Sequence, residues 1–288
     1  MNVESNKFQT YMQMQPGANN VAVEATDASG NVRTNTYQVT VANNLQRTLT
    51  YDADGNLLND GQKSYTWDAL NRLTRITYAD NTSTEFTYNG VGQRIKIVEK
   101  NASGSVTSMK NFIWSNGSQP TEERDASNNV TKRFFIQGQQ IGGTNYYYTL
   151  DHLGSVREMT DSTGAIHARY DYDPYGRTTK LSGDLDADFQ YAGYYSHTAS
   201  GLDLTWFRAY DANLGRWLSR DPIAESGGIN LYGYVANDPI GGIDPFGFAR
   251  YEYDGQGLHF MMATSPIELI LEQMEIYSLV RNQDMILI

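Results

Sequence analysis

The chain has 288 residues, a net charge of −11 and no cysteine, with 40% hydrophobic and 12% aromatic residues. That much apolar material builds one large or two ordinary domains and excludes a disordered polymer, while the absent cysteines exclude disulfide staples, thiolate zinc sites and a cysteine nucleophile. The acidic balance, with no compensating basic stripe in the sequence, argues against a nucleic-acid partner.

Twenty-one Tyr and 26 Gly beside only 7 Pro describe many short strands joined by tight turns, so the expected class is all-β. No run of about 18 apolar residues could span a bilayer, and the start Met1-Asn2-Val3-Glu4-Ser5-Asn6-Lys7 lacks the basic-then-apolar pattern of a signal peptide. A secreted or cell-surface location therefore calls for a longer parent or a dedicated secretion machine. Residues 20–42 carry two alternating runs joined at Asp27-Ala28-Ser29-Gly30-Asn31, a hairpin signal. They resemble the last strands of an immunoglobulin-like surface domain, and residues 1–44 are expected to be such an end or a linker hairpin region.

From about residue 45 a unit repeats. Its copies are Tyr51-Asp52-Ala53-Asp54-Gly55, Trp67-Asp68-Ala69-Leu70-Asn71, Tyr88-Asn89-Gly90-Val91-Gly92, Leu150-Asp151-His152-Leu153-Gly154 and Tyr172-Asp173-Pro174-Tyr175-Gly176. A sixth, Tyr210-Asp211-Ala212-Asn213-Leu214-Gly215, is one residue longer. In the copies led by an aromatic residue the ring packs on a sheet, and in each the Asp or Asn caps a turn and Gly or Asn takes a left-handed conformation. These copies resemble YD repeats, and residues 148–248 are similar to the core domain that follows such repeats in bacterial RHS proteins, Tc toxin C subunits and, more distantly, teneurins. The resemblance covers residues 45–248. It implies a spiralling antiparallel β-sheet, here a partial shell over 45–147, with a loop-rich core-domain plug over 148–248 and a short variable tail over 249–288.

The densest part of the plug runs from Gly215-Arg216-Trp217-Leu218-Ser219-Arg220-Asp221-Pro222 through Gly227-Gly228 to Ile243-Asp244-Pro245-Phe246-Gly247-Phe248. The Asp-Pro steps at Asp221 and Asp244 hold their carboxylates on extended backbone, and the glycines permit close approach. Two carboxylates in a dry pocket cannot both ionise cheaply, which suits acid–base attack of water on a peptide carbonyl, with Arg220 steadying the charge. The family resemblance implies self-cleavage by Asp221 and Asp244, with Arg220 as helper, at the Phe248-Ala249 bond. Phe248 stands where the family usually has Leu, and Ala224-Glu225 replaces its usual Gly-Leu. The alternative is an inert plug in which both aspartates merely cap turns.

Nothing else carries chemistry. His152, His167, His197 and His259 are scattered singly without metal spacing, Asp52-Ala53-Asp54-Gly55-Asn56 lacks the later ligands of a calcium loop, and no cofactor is expected. Tyr146-Tyr147-Tyr148 and Tyr191-Ala192-Gly193-Tyr194-Tyr195 fit aromatic ladders better than sugar platforms. In the tail, residues 251–260 read as one more hairpin, and Ser265, Pro266 and Glu268 open a short helix. At 40 residues this tail is too small for an ordinary enzyme fold, and no toxin active site is legible in it. Two functions stand: a self-processing RHS-type toxin shell with its own tail as cargo and a secretion machine as partner, or a non-catalytic surface scaffold that binds cells or glycans.

Overall fold

The computed structural model describes residues 2–4, 7–9, 14–15, 17–41, 48–115, 119–253 and 258–260. The chain divides into two compact units, Met1–Thr48 and Leu49–Ile288. In the first, Asn2–Glu4 pairs with Lys7–Gln9, and Gly17–Thr26 pairs with Val32–Val41 along its whole length. The hairpin expected at Asp27 forms because the Asp27 carboxylate accepts the Ser29 and Asn31 N–H groups, both at 2.9 Å, while Gly30 takes a φ of 85°.

The second unit is built on a sheet of fourteen strands, counted among the described residues. It runs in unbroken sequence order from Thr50–Tyr51 at one edge to Thr178–Ser182 at the other, every neighbour antiparallel. The all-β class and the spiral of repeated hairpins are thus as the sequence predicts. The strand Thr144–Leu150 crosses residue 148 without interruption, so the sheet continues into the region assigned to the core domain.

The repeat's chemistry appears in the turns. Asp52 accepts the Asn56 N–H at 2.7 Å, Asp151 those of Leu153 and Ser155 at 3.0 and 2.9 Å, and Asp173 those of Tyr175 and Arg177 at 3.0 and 2.9 Å. The same turn occurs at Asn101, Asp125 and Asp161, where Gly104, Asn128 and Gly164 supply the positive φ. These three copies are led by Lys100, Arg124 and Thr160 rather than by an aromatic residue or leucine, so the motif does not find them. Strand direction explains the difference. Consecutive strands alternate, so the turns after Tyr51, Trp67, Tyr88, Leu150 and Tyr172 fall at one end of the sheet, and those at 101, 125 and 161 fall at the other. At the first end the rings meet the plug: Tyr51 packs on Tyr232 with centroids 5.4 Å apart, and Tyr172 on Tyr191 at 5.8 Å. The leading aromatic marks the plug-facing end rather than the turn itself.

The segment after residue 182 covers the inner face of the sheet. A four-stranded antiparallel sheet, Tyr195–His197, Leu202–Leu204, Ala209–Asp211 and Arg216–Trp217, places Tyr195, Leu202, Leu204 and Ala209 in one core with Leu57, Tyr65, Ile76, Phe86, Ile97 and Phe112. The longer sixth copy lies here, where Asp211 accepts the Asn213 and Leu214 N–H groups. Beyond it, among the described residues, come only two short 3-10 turns, Ala224–Gly227 and Val235–Asn237, before a three-stranded sheet of Gly242–Ile243, Tyr251–Tyr253 and Leu258–Phe260. That sheet contains the hairpin expected at 251–260. The helix expected from Ser265 lies outside the described residues.

Leu202 is fully buried where the small sheet meets the large one. Leu202→Ala is expected to cost about 2–5 kcal/mol, the usual penalty for a buried cavity, read as a lowered urea midpoint with an unchanged slope.

Polar contacts tie the same interface. Lys132 Nζ lies 2.7 and 2.6 Å from the two Asp188 oxygens, and His197 bridges the Glu99 carboxylate at 2.9 Å and the Ser200 hydroxyl at 2.7 Å. Burial holds His197 below its ordinary pKa of about 6.5, so the folded protein favours the neutral ring. The unfolded chain binds the proton more readily, so this contribution is complete above pH about 6.5 and is lost as pH falls toward the depressed folded value. His197→Gln should flatten the fall in stability between roughly pH 6.5 and 5, measured by denaturation at stepped pH.

Candidate active site

The turn at Asp244 is formed by its own sequence. Asp244 begins it, Pro245 fixes the next φ, and Gly247 turns left-handed with a φ of 82°. One oxygen of the Asp244 carboxylate then accepts three successive backbone N–H groups, from Gly247 at 2.8 Å, Phe248 at 2.9 Å and Ala249 at 3.0 Å. The last belongs to the bond expected to be cut. Phe248 and Ala249 are buried, with the Phe248 ring edge-on to Phe207 at 5.3 Å and tilted on Phe246 at 5.8 Å. A methyl group on Gly247 would collide with the Thr205 hydroxyl, so only glycine closes this turn against the loop of residues 205–208 beside it.

Asp221 arrives from the Asp221-Pro222 step. One oxygen caps the Ile223 N–H at 3.0 Å, and the other lies 2.9 Å from Arg208 Nη2. Arg208 Nη2 also lies 3.0 Å from the second oxygen of Asp244. The two carboxylates therefore meet on a single guanidinium nitrogen, with side-chain exposures of 9% for Asp221, 5% for Asp244 and 2% for Arg208. Gly227 makes room, since a methyl group there would stand 2.6 Å from the Asp221 carboxylate. Gly228 has open space around it and takes no part in that approach.

Arg208 is locked in place. Its Nε donates to the Gly247 carbonyl and its Nη1 to the Leu231 carbonyl at 3.3 Å, while the guanidinium lies 4.4 Å from the centre of the Trp217 ring. The expectation for Arg220 is corrected here. Ser219 is buried and Asp221 nearly so, but Arg220 between them is exposed, and its side chain crosses the Gly55 turn beside the Tyr232 hydroxyl. Glu225 is likewise exposed and faces solvent.

Sequence reasoning also missed a pair of tyrosines. The Tyr194 hydroxyl donates to the Asp244 carbonyl at 3.0 Å and accepts the Asp244 N–H at 3.1 Å, which leaves the Tyr234 hydroxyl, 3.0 Å away, to act as donor to it. This bracket fixes the backbone of Asp244 from both sides. Arg208 had one legible signal: a lone cation in the apolar run Leu204-Thr205-Trp206-Phe207-Arg208-Ala209-Tyr210, where a buried charge needs partners. The spacing to its partners carries no local pattern.

Burial pushes the Asp221 carboxyl up to about 6, against the pull of Arg208 and of the Ile223 N–H, with the nearby Asp244 adding to the rise. Burial raises Asp244 as well, opposed by Arg208 and by its three amide donors. Asp244 accepts four hydrogen bonds and Asp221 two, so a single negative charge is better held on Asp244 and a proton shared by the pair is better held on Asp221. One charged and one protonated carboxyl beside a buried peptide bond can perform acid–base hydrolysis.

The teneurin YD-shell family model matches residues 40–240. The chain belongs to the YD-shell family. Its relatives include the tRNA nuclease WapA of Bacillus subtilis, 34% identical over 215 residues that are 69% of this chain and 9% of that protein. The double-stranded DNA deaminase toxin A of Burkholderia cenocepacia is 25% identical over 241 residues, 69% of this chain and 17% of that protein. The YD-shell chain thus spans a small part of the relatives' length. Its fold matches a chain of the Photorhabdus luminescens Tc holotoxin pore with a TM-score of 0.58 at 17% identity, over 90% of this chain and 15% of that one. The RHS-type relationship expected from the repeats is thereby established, with residues 40–240 as the part that the family model matches.

Proposed function

We propose that this chain is the C-terminal part of an RHS-type toxin shell that hydrolyses its own Phe248-Ala249 bond and so separates residues 249–288 as cargo from the shell that carries them. The observation that carries this reading is the meeting of Asp221 and Asp244 on one nitrogen of Arg208, with Asp244 already hydrogen-bonded to the Ala249 amide. Ionised Asp244 takes a proton from water as the water oxygen adds to the Phe248 carbonyl carbon, and Asp221 gives its proton to the carbonyl oxygen. Asp244 then passes its proton to the Ala249 nitrogen as the C–N bond breaks, and Asp221 recovers a proton from the collapsing diol. Arg208 holds the two acids in register and balances one negative charge throughout.

Two relatives are named for toxic activities, a tRNA nuclease and a DNA deaminase, and this chain covers little of either. We place their shared role in the shell, release outside the producing cell included, and assign neither activity here. The domain division at 45, 148 and 249 belongs to the same proposal. Intact mass and a denaturing gel of the purified full-length chain test it: two species, with the break after Phe248, are expected. A single species of full mass would leave a non-catalytic scaffold as the surviving reading.

A further inference from the structure

The residues directly after Phe248 are built into the plug. Ala249 is buried, the Tyr251 ring packs 6.4 Å from Phe246, and Tyr251 and Glu252 pair as a strand with Ile243 and Gly242. Between them, Arg250 reaches back across the core. Its Nη1 donates to the Val235 carbonyl at 3.0 Å, and its Nη2 lies 2.8 Å from the Asp238 carboxylate and 2.6 Å from that of Glu252.

The corner that receives Arg250 is shaped for it. Val235, Ala236 and Asn237 take successive φ values of 40°, 54° and 62°, a left-handed run that L residues adopt only under constraint and that is least natural for the β-branched Val235. The adjacent glycines supply clearance. A methyl group on Gly241 would stand 2.6 Å from the Asp238 carboxylate, and one on Gly242 would stand 2.9 Å from Arg250 Nε and 3.1 Å from the Tyr251 carbonyl. A strained turn, an acid and two glycines thus converge on one guanidinium, a donor set that suits bidentate holding by carboxylate and carbonyl.

We infer that Asp238, the Val235 carbonyl and the Gly241-Gly242 step form an arginine-binding corner that keeps the head of the tail, residues 249–252, docked on the core strand Gly242–Ile243 after the cut. The inference rests on the self-cleavage reading for its consequence. Hydrolysis adds one water across the Phe248-Ala249 bond, leaving a carboxylate on Phe248 and an ammonium on Ala249. That ammonium forms where the Ala249 amide now donates to Asp244 at 3.0 Å, so the product gains a charge-assisted bond at the break. The severed tail stays bound as an added strand, and release requires that Arg250 be displaced.

The test uses the full-length chain with Arg250→Met, which keeps the aliphatic stem, and separately Gly242→Ala, which leaves the arginine in place. A denaturing gel reports the cut, and native gel filtration of the same sample reports retention. The expected result is a wild-type tail that co-elutes with the shell and variant tails lost at least about tenfold faster on dilution. Variant tails retained as firmly as the wild type would overturn the inference. Should the gel show an uncut chain, the cleavage reading fails, and the corner is judged by hydrogen exchange on the intact protein. Slow exchange at residues 250–252, accelerated about tenfold or more in both variants while residues 202–204 are unchanged, supports it. Equal rates in wild type and variants sink it.

Discussion

Asp221→Asn is expected to leave one uncut polypeptide where the wild-type chain is expected to be recovered as two. Asparagine keeps the volume and can still cap the Ile223 N–H, but it can neither hold nor deliver the proton that the carbonyl oxygen needs, so the rate should fall by roughly 10²–10⁴. Asp244→Asn should cut no better, though its structural cost is larger. The Asp244 carboxylate accepts from Gly247, Phe248, Ala249 and Arg208, and an amide in its place turns an NH₂ group toward donors. Leaving such buried groups unpaired costs about 1–3 kcal/mol. Asp221→Asn is therefore the cleaner variant, and a urea midpoint near that of the wild type, together with an intact chain by mass, separates lost chemistry from lost folding. An Asp221→Asn chain that still breaks after Phe248 removes the carboxylate pair from the reaction.

The rate of cleavage should fall as pH rises. The reactive form has Asp244 ionised and Asp221 protonated, and burial raises Asp221 to about 6. Below that value Asp221 keeps its proton and the rate is level until Asp244 itself is protonated. Above it the reactive fraction drops about tenfold per pH unit, so refolding at pH 8 should give cleavage about a hundredfold slower than at pH 5.5. The measurement is the fraction cut against time after dilution from denaturant at stepped pH. A rate that climbs with pH reverses the assignment and makes ionised Asp221 the base. The window differs from that of His197, whose neutral form supports the fold above about 6.5, so a stability curve recorded in parallel distinguishes the two.

Much of the molecule follows from its residues alone. Aromatic-Asp-x-x-Gly is a local instruction, because the carboxylate caps N–H groups two and four residues on and glycine supplies the left-handed step, as at Asp151 and Asp173. Repetition of that instruction gives the strand order of the large sheet without reference to anything distant. The Asp244 turn is legible for the same reason, since Asp, Pro and Gly within four positions determine where its carboxylate points.

What tertiary structure decided is everything that depends on separation along the chain. The pairing of Asp221 with Asp244 runs through Arg208, thirteen positions before the first and thirty-six before the second, and no local pattern announces it. Arg220 looked the natural helper because it is adjacent in sequence, yet its side chain lies exposed over the Gly55 turn, and burial rather than proximity selects the arginine that two acids share. The same holds for the leading aromatics, whose meaning emerged only when alternating strands gathered them at the plug end. Short-range hydrogen bonds are written residue by residue, whereas the site is written by the packing of one buried cation between two loops.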